Sequence, residues 1–270
     1  VPASSGAHSG FGRVDEADRP AVLIGCLDGF ACLPAVQAAK QRSFAVAGKA
    51  VGREPVLDVG CGTGTDLVLW ARQCGARLVG VDLSHQMLTE ARARAGNCSV
   101  IQAHSHHLPF RDGVFSAVRC ERLLLHDTDP AAAVAEMARV VRPGGRVVLV
   151  EPDMEEAAAT CPALYTESGV LTAWVRRSFA QPRSGSAVHR LLRERGLVSV
   201  RSEVHRERCD AGTADTVLQL RACALWAHES PGAPPGRLRR WLSDLHERET
   251  GSAPFCTVPI HVASASRPTS

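Results

Sequence analysis

From residue 55 to residue 151 the hydrophobic and polar positions alternate between two periods. Short apolar runs, of the kind a parallel sheet buries on both faces, stand at 55-PVLDVG-60, 77-RLVGVD-82, 98-CSVIQA-103, 114-VFSAVR-119 and 145-GRVVLVE-151. Between them lie segments with helical spacing and recognisable ends. These are 66-DLVLWARQC-74 stopping at Gly75, 85-HQMLTEARARA-95 stopping at Gly96, and 130-PAAAVAEMARVV-141 before the turn 142-RPGG-145. Ser84 precedes the second of these as an N-cap, its hydroxyl able to accept from a free first-turn N–H. Strands alternating with helices of this length predict an α/β fold built on a doubly wound parallel sheet.

The pattern changes on either side of this block. Residues 20–50 carry helical signals, notably 34-PAVQAAKQRSFAVAGK-49 with Pro34 suited to a first turn. Residues 152–185 read as a helical, lid-like insertion containing Tyr165, Trp174 and Phe179. Helix 186-SAVHRLLRER-195, strand 197-LVSVRSEVH-205, helix 213-TADTVLQLRACALWAHE-229, loop 231-PGAPPG-236 and helix 237-RLRRWLSDLHERE-249 follow. A last strand is expected over 255-FCTVPIHVAS-264, where Pro259 removes a ladder donor and should mark a bulge or an exposed edge. With 270 residues and no internal repeat, the expectation is one domain over 20–270, with 20–50 as an N-terminal helical cap and 1–19 as a disordered arm.

Charge and composition narrow the function. The net charge is +3 and no Lys/Arg run occurs, which argues against a nucleic-acid or membrane-surface partner. No apolar stretch reaches the roughly 18 residues of a membrane span. The start, 1-VPASSGAHSG-10, has neither a basic nor an apolar segment, so no signal peptide is expected. Lys40 and Lys49 are the only lysines in an Ala- and Arg-rich chain, a bias typical of GC-rich bacterial genomes. Ten cysteines without CxxC pairs suggest buried free thiols and a reducing cytoplasm.

The chemistry concentrates at 56-VLDVGCGTG-64, a strand running into a glycine loop that opens a helix. Gly60, Gly62 and Gly64 let the backbone turn tightly and approach a ligand. Thr65 stands where a dinucleotide fingerprint has its third glycine. Asp82 ends the second strand, where a carboxylate can accept from both ribose hydroxyls. The ligand predicted is a nucleoside with no pyrophosphate to cradle.

These features resemble the class I S-adenosylmethionine (SAM)-dependent methyltransferases, in particular small-molecule enzymes related to quinone-biosynthesis C-methyltransferases and bacterial natural-product methyltransferases. The matching residues are 56-VLDVGCGTG-64, 79-VGVDLSHQML-88, 108-LPFRDGVFSAV-118, 123-LLLHDTDP-130 and 137-MARVVRPGGRVVLVEPD-153. The resemblance implies a Rossmann-like seven-stranded sheet of order 3-2-1-4-5-7-6 with strand 7 antiparallel. Pro259 departs from it, since strand 7 would lie inside the sheet. The implied cofactor is SAM, leaving as S-adenosylhomocysteine. The Gly60–Gly64 loop would lie beside its methionine and ribose, and Asp82 would take the ribose hydroxyls. Leu83 would pack on the adenine with Met87 close by. Asp58 would hold the loop or reach the ligand amino group through water, and Arg119, in 119-RCE-121, would pass beneath the sulfonium.

The cluster 103-AHSHHLPF-110 falls in the loop after the third strand. Relatives commonly read GDAxxLPF there, the Asp accepting from the adenine N6 amino group and the next backbone N–H meeting N1. Aligned on Leu108-Pro109-Phe110, His104 takes the Asp position and Ser105 follows it. A neutral imidazole can accept from N6 and a protonated one cannot, so cofactor binding should be weaker or depend on pH near neutrality. A zinc site needs three or four convergent ligands, and no nearby Cys or acid completes a set, so no metal is expected. His106 and His107 read as solvated loop residues.

His126, in 123-LLLHDTDP-130, follows the fourth strand on the side where relatives place the acceptor. It is the candidate general base, with a loop-anchoring role as the alternative. Asp127 and Asp129 read as turn and N-cap residues. Phe30, Phe44, Tyr165, Trp174 and Phe179 are candidate pocket residues beneath the cap and insertion. Arg119-Cys120-Glu121-Arg122 stands where an NPPY-type tetrapeptide would, which argues against nucleobase amino-methylation. The expected function is methylation of a small, largely apolar metabolite in bacterial natural-product biosynthesis, by a cytoplasmic monomer or homodimer. The alternatives are a cyclase or pericyclase that binds SAM without consuming it, and a non-catalytic SAM-binding protein.

Overall fold

All four residues of β1 (Val56–Val59) and all seven of β4 (Phe115–Glu121) are buried, as strands in the middle of a sheet covered on both faces must be. The computed structural model describes residues 15, 29–50, 52, 54–96, 98–166, 169–229, 236–251 and 253–269. Five further strands, β2 (Leu78–Asp82), β3 (Ser99–Gln102), β5 (Val141–Pro152), β6 (Val198–Cys209) and β7 (Cys256–Ser266), complete one sheet of order β3-β2-β1-β4-β5-β7-β6. β7 runs antiparallel to both β5 and β6, and the other pairs are parallel. This is the implied topology.

The helices are α1 (Pro34–Gly48), α2 (Thr65–Cys74), α3 (His85–Arg94), α4 (Pro130–Val140), α5 (Met154–Ala159), α6 (Ala163–Thr166), α7 (Val170–Ser178), α8 (Ser184–Glu194), α9 (Ala211–Leu218), α10 (Leu220–Glu229) and α11 (Arg237–Glu249). Successive strand residues feed opposite cores, as the period of two requires. Val56, Val148 and Val150 join the core beneath α1, α2, α5–α7 and α9–α11. Leu57, Val59, Val147 and Leu149 join the other, beneath α4 and α8. Local chemistry fixes the helix starts. Ser84 accepts from Met87 N–H, and Asp129 accepts from Ala132 N–H behind Pro130.

The expectation for Pro259 is corrected. It sits in an interior strand, opposite Arg206, with no break in register. Its carbonyl accepts from Asp153 N–H at 3.0 Å, and an extended residue directs its nitrogen to the same side. That side is β5, whose pairing ends one residue earlier at Pro152↔Ile260, so no ladder bond is lost. The bulge lies in β6 instead, where the register shifts between Val198 and Arg201 and Ser199 adopts φ 54°.

The helix expected over 213–229 is two helices, broken at Gln219 with φ 55° and ψ 49°. The turn 142–145 is looped out within β5, so that Phe115 pairs with Val141 but Ala117 with Arg146. The 1–19 arm and the 20–28 part of the cap lie outside the described residues, apart from Asp15. That carboxylate accepts from His85 and Gln86 N–H and from the Ser84 hydroxyl, at the start of α3. Among the described residues no helix is long and apolar enough to cross a membrane.

Candidate active site

The sheet reverses its order between β1 and β4, and a cavity of about 740 Å³ opens at the carboxyl ends of these strands. Its lining includes Asp58, Gly60, Gly62, Asp82, Leu83, Met87, His104, Ser105 and Arg119. The glycine loop is tied to β2 from below: Gly60 and Cys61 N–H both donate to Val81 C=O, at 2.7 and 3.0 Å. At Gly62 (φ 51°) an added Cβ would meet nothing within 4 Å, so this turn is open to a ligand. At Gly64 (φ 76°) a Cβ would lie 3.0 Å from the Ala91 backbone, so glycine is needed for α2 to pack on α3.

Asp82 fastens the site. One carboxylate oxygen accepts from Gly62 N–H at 2.8 Å and the other from Ser84 N–H at 2.9 Å. Burial raises its pKa, against the lowering effect of these N–H groups. A carboxylate has about four lone-pair sites, so two remain for a diol. Beside it Leu83 is 52% exposed, an apolar platform at the cavity wall. An acidic tip, an open glycine turn and an apolar platform fit the ribose and base of a nucleoside.

Arg119 and Asp58 belong to a buried ionic network. Arg119 donates to Asp58 at 3.0 Å, to Asp66 at 2.9 Å, to Ser43 at 2.8 Å and to Glu121, with its guanidinium 4.8 Å from the Phe44 ring. Lys40 Nζ lies 2.6 Å from Asp66 and 2.9 Å from Glu121. Burial pushes the Asp58 carboxyl up to about 6, against the pull of Arg119. Asp66 is held below the usual range by Arg119 and Lys40 despite its burial. The network joins α1 to β1, α2 and β4. The glycine loop is therefore held by Val81 and Asp82, while Asp58 is spent on Arg119. Lys40 and Asp66 escaped notice in the sequence, although Lys40 is one of two lysines and Asp66 opens the helix after the glycines.

The three histidines take different places. His106 Nε2 lies 2.7 Å from Asp127, which also accepts from the Ser105 hydroxyl at 3.1 Å and from Asp129 N–H at 2.8 Å. His106 is thus a paired residue rather than a solvated one, and Asp127 is more than a turn residue. The carboxylate that completes the pair comes from the loop after β4, distant in sequence. His107 is exposed. His104 Nδ1 accepts from His106 N–H at 3.1 Å, and the two rings meet edge to face at 4.3 Å. Burial, then the neighbouring His106, lowers the His104 pKa from the ordinary histidine value.

A grouping with metal-ligand chemistry, Asp153, Glu156 and His261, gathers within 4.8 Å at the start of α5. There Asp153 caps α5 and Glu156 pairs with Arg206.

The cavity is also lined by Phe30, Arg122, Leu123, Leu125, His126, Met154, Phe179 and Gln219, with Leu123 against Gly60. Phe44, Tyr165 and Trp174 are corrected to packing residues. Phe44 stacks on Trp70, and Tyr165 donates to the Trp241 carbonyl among Trp241 and Phe255. Trp174 Nε1 donates to Leu218 C=O, pinning α7 to the end of α9. Aromatic spacing in the sequence carries no signal of which face meets the cavity.

His126 ends a single 3₁₀ turn, Leu124–His126, with its ring 6.0 Å from Phe179. That turn hangs from Glu151, a fully buried carboxylate accepting from Leu123, Leu124 and Leu125 N–H at 3.0, 2.8 and 3.2 Å. Burial pushes Glu151 up to about 7, against the lowering effect of these donors. A folded pKa above the unfolded value near 4.5 contributes stability below pH 4.5 that is lost as pH rises through about 7. Glu151→Gln should therefore flatten the fall in stability between pH 5 and 8, by on the order of 3 kcal/mol. Denaturant midpoints of both proteins at the two pH values check this, and parallel slopes would refute it.

A doubly wound sheet with a glycine turn at its reversal point and a carboxylate at the end of the neighbouring strand is of the Rossmann-like class, and the arrangement fits a nucleoside. Residues 57–149 match the family model for a methyltransferase domain. Over 201 residues the chain is 34% identical to an uncharacterized 37.1 kDa protein in transposon TN4556 of Streptomyces fradiae, covering 71% of this chain and 57% of that one. Over 150 residues it is 33% identical to the O-methyltransferase resE of Aspergillus sclerotiorum, covering 53% and 54%. The chain thus spans little more than half the length of these curated relatives. A solved structure of a proposed methyltransferase from Bacillus halodurans superposes with a TM-score of 0.57 at 19% identity, covering 85% of this chain and 99% of that one. These matches support a class I SAM-dependent methyltransferase domain over residues 57–149, similar in sequence to O-methyltransferases that include one of ubiquinone biosynthesis.

Proposed function

We propose that the protein transfers the methyl group of SAM to a small, largely apolar metabolite, in bacterial natural-product biosynthesis. The observation that carries this reading is the carboxylate of Asp82 beside the open Gly62 turn, in a cavity with room for a second molecule. Asp82 would take the ribose hydroxyls, Leu83 and Met87 the adenine, and the Gly60–Gly64 loop the methionine side. SAM supplies a methyl group already activated by its sulfonium. The chain's contribution is then to hold an acceptor in line with it and to exclude water. Leu123, Leu125, Met154 and Phe179 offer the acceptor an apolar wall.

His126, on the same wall, supplies a base where the acceptor is a hydroxyl. His126→Ala is then expected to lower kcat by about 10²–10⁴-fold while S-adenosylhomocysteine binds as before. Full activity in the variant would leave His126 as a loop anchor. The reading as a whole is tested with methyl-labelled SAM and a panel of phenols, quinols and polyketide-like hydroxyls, followed by mass spectrometry. Label in the product supports methyl transfer. A cyclised product with SAM unconsumed would replace it with the cyclase reading.

A further inference from the structure

We propose that His104 presents a hydrogen-bond donor to the base of the cofactor, so that this site reads the purine edge with the polarity opposite to a carboxylate's and accepts a 6-oxopurine cofactor about as well as an adenine one. The inference rests on the cavity holding a nucleoside with its ribose at Asp82.

Such a nucleoside has one place for its base. Gln102 Nε2 donates to Leu83 C=O at 2.9 Å and Ala103 N–H to Asp82 C=O at 3.1 Å, so the wall formed by 103–105 stands directly beside the Asp82–Leu83 turn. Ala103, His104 and Ser105 line the cavity there, with Leu83 and Met87. A base one sugar's length from Asp82 lies on Leu83 with its edge toward His104.

The proton on His104 is assigned by its neighbours. A neutral imidazole has one donor and one acceptor nitrogen, and the bond made by one nitrogen fixes the other. Nδ1 accepts from His106 N–H, so the proton is on Nε2. His106 cannot readily move away, because its ring is pinned to buried Asp127, which Ser105 and Asp129 N–H hold in turn. The sequence Asp127–His106–His104 thus leaves a fixed Nε2–H as the group His104 can offer a ligand. An N–H facing an exocyclic amine is a donor against a donor. It can serve a purine ring nitrogen, and it matches the O6 of a hypoxanthine base.

The test compares S-adenosylhomocysteine with S-inosylhomocysteine by calorimetric titration of the intact protein and of His104→Asp. Wild type should bind the two within about five-fold of each other. The aspartate variant should shift the ratio toward adenine by about ten-fold or more, since a carboxylate accepts from the amine and repels O6. A long-range ¹⁵N–¹H spectrum of the unliganded protein should show His104 as the Nε2–H tautomer. A wild-type preference for adenine above about 100-fold, an unchanged ratio in the variant, or the Nδ1–H tautomer would each overturn the inference while S-adenosylhomocysteine binding kept the cofactor reading intact. If wild type bound neither ligand, the cofactor reading would fall and this inference with it.

Discussion

Asp82→Ala is expected to weaken S-adenosylhomocysteine binding by about 100-fold or more, with the sheet intact. Two contributions act together. The variant loses the acceptors for a ribose diol, and hydrogen bonds to a charged group are worth about 1.5–3 kcal/mol each. It also frees Gly62 and Ser84 N–H, so the open turn loses the clasp that shapes it. The fold itself should tolerate the change, because burial already penalises this carboxylate in the free protein. Asp82→Asn separates the two contributions: one amide oxygen can still hold one N–H, but the charge is gone. Calorimetric titration beside a thermal melt decides the matter. Unchanged affinity in a folded Asp82→Ala protein would move the ligand away from this end of the cavity.

The second large effect is on stability. Arg119→Met is expected to cost about 3–5 kcal/mol, because it leaves three buried carboxylates facing Lys40 and the edge of Arg122. For a chain of this size that corresponds to a Tm lower by about 10 °C. The loss should shrink in acid. Arg119 and Lys40 hold the folded pKa of Asp66 below its unfolded value, a contribution present above the unfolded pKa and lost as pH falls. Without Arg119 that contribution is diminished, so the wild-type and variant melting curves should converge below about pH 4. Equal melting temperatures at pH 7.5 would mean that the network contributes nothing net, as replacements of whole buried ion groups sometimes show.

Much of the fold was legible because β1, β2 and β4 are short, largely apolar runs, each with a helix behind it. Ser84, Pro130 and Asp129 mark their helix starts through local chemistry alone. The glycine loop and Asp82 were legible for the same reason: both lie at strand ends, where a left-handed turn or a terminal acid has few structural uses. The failures share the opposite property. Pro259 looked disruptive because the sequence does not say where the neighbouring strand stops. Gln219 looked like the middle of one helix, since nothing local distinguishes it from a helical glutamine. Phe44, Tyr165 and Trp174 were chosen for their chemistry, whereas their partners, Trp70, Trp241 and Leu218, decide what they touch.

By itself, then, the sequence determined the alternation of strands and helices, the site of the glycine turn and the acid that faces it, because these follow from interactions within a few residues. Tertiary structure alone decided that Lys40 meets Asp66 and Glu121, that Glu151 suspends the His126 turn, and that Asp127 pins His106 and through it the proton of His104. Lys40, Asp66 and Glu121 come from two helices and a strand, Glu151 and the turn it holds from separate segments, and Asp127 and His106 from different loops. Burial makes these pairings obligatory, since a charge or N–H removed from water must find a partner, but only the packed chain settles which partner is within reach.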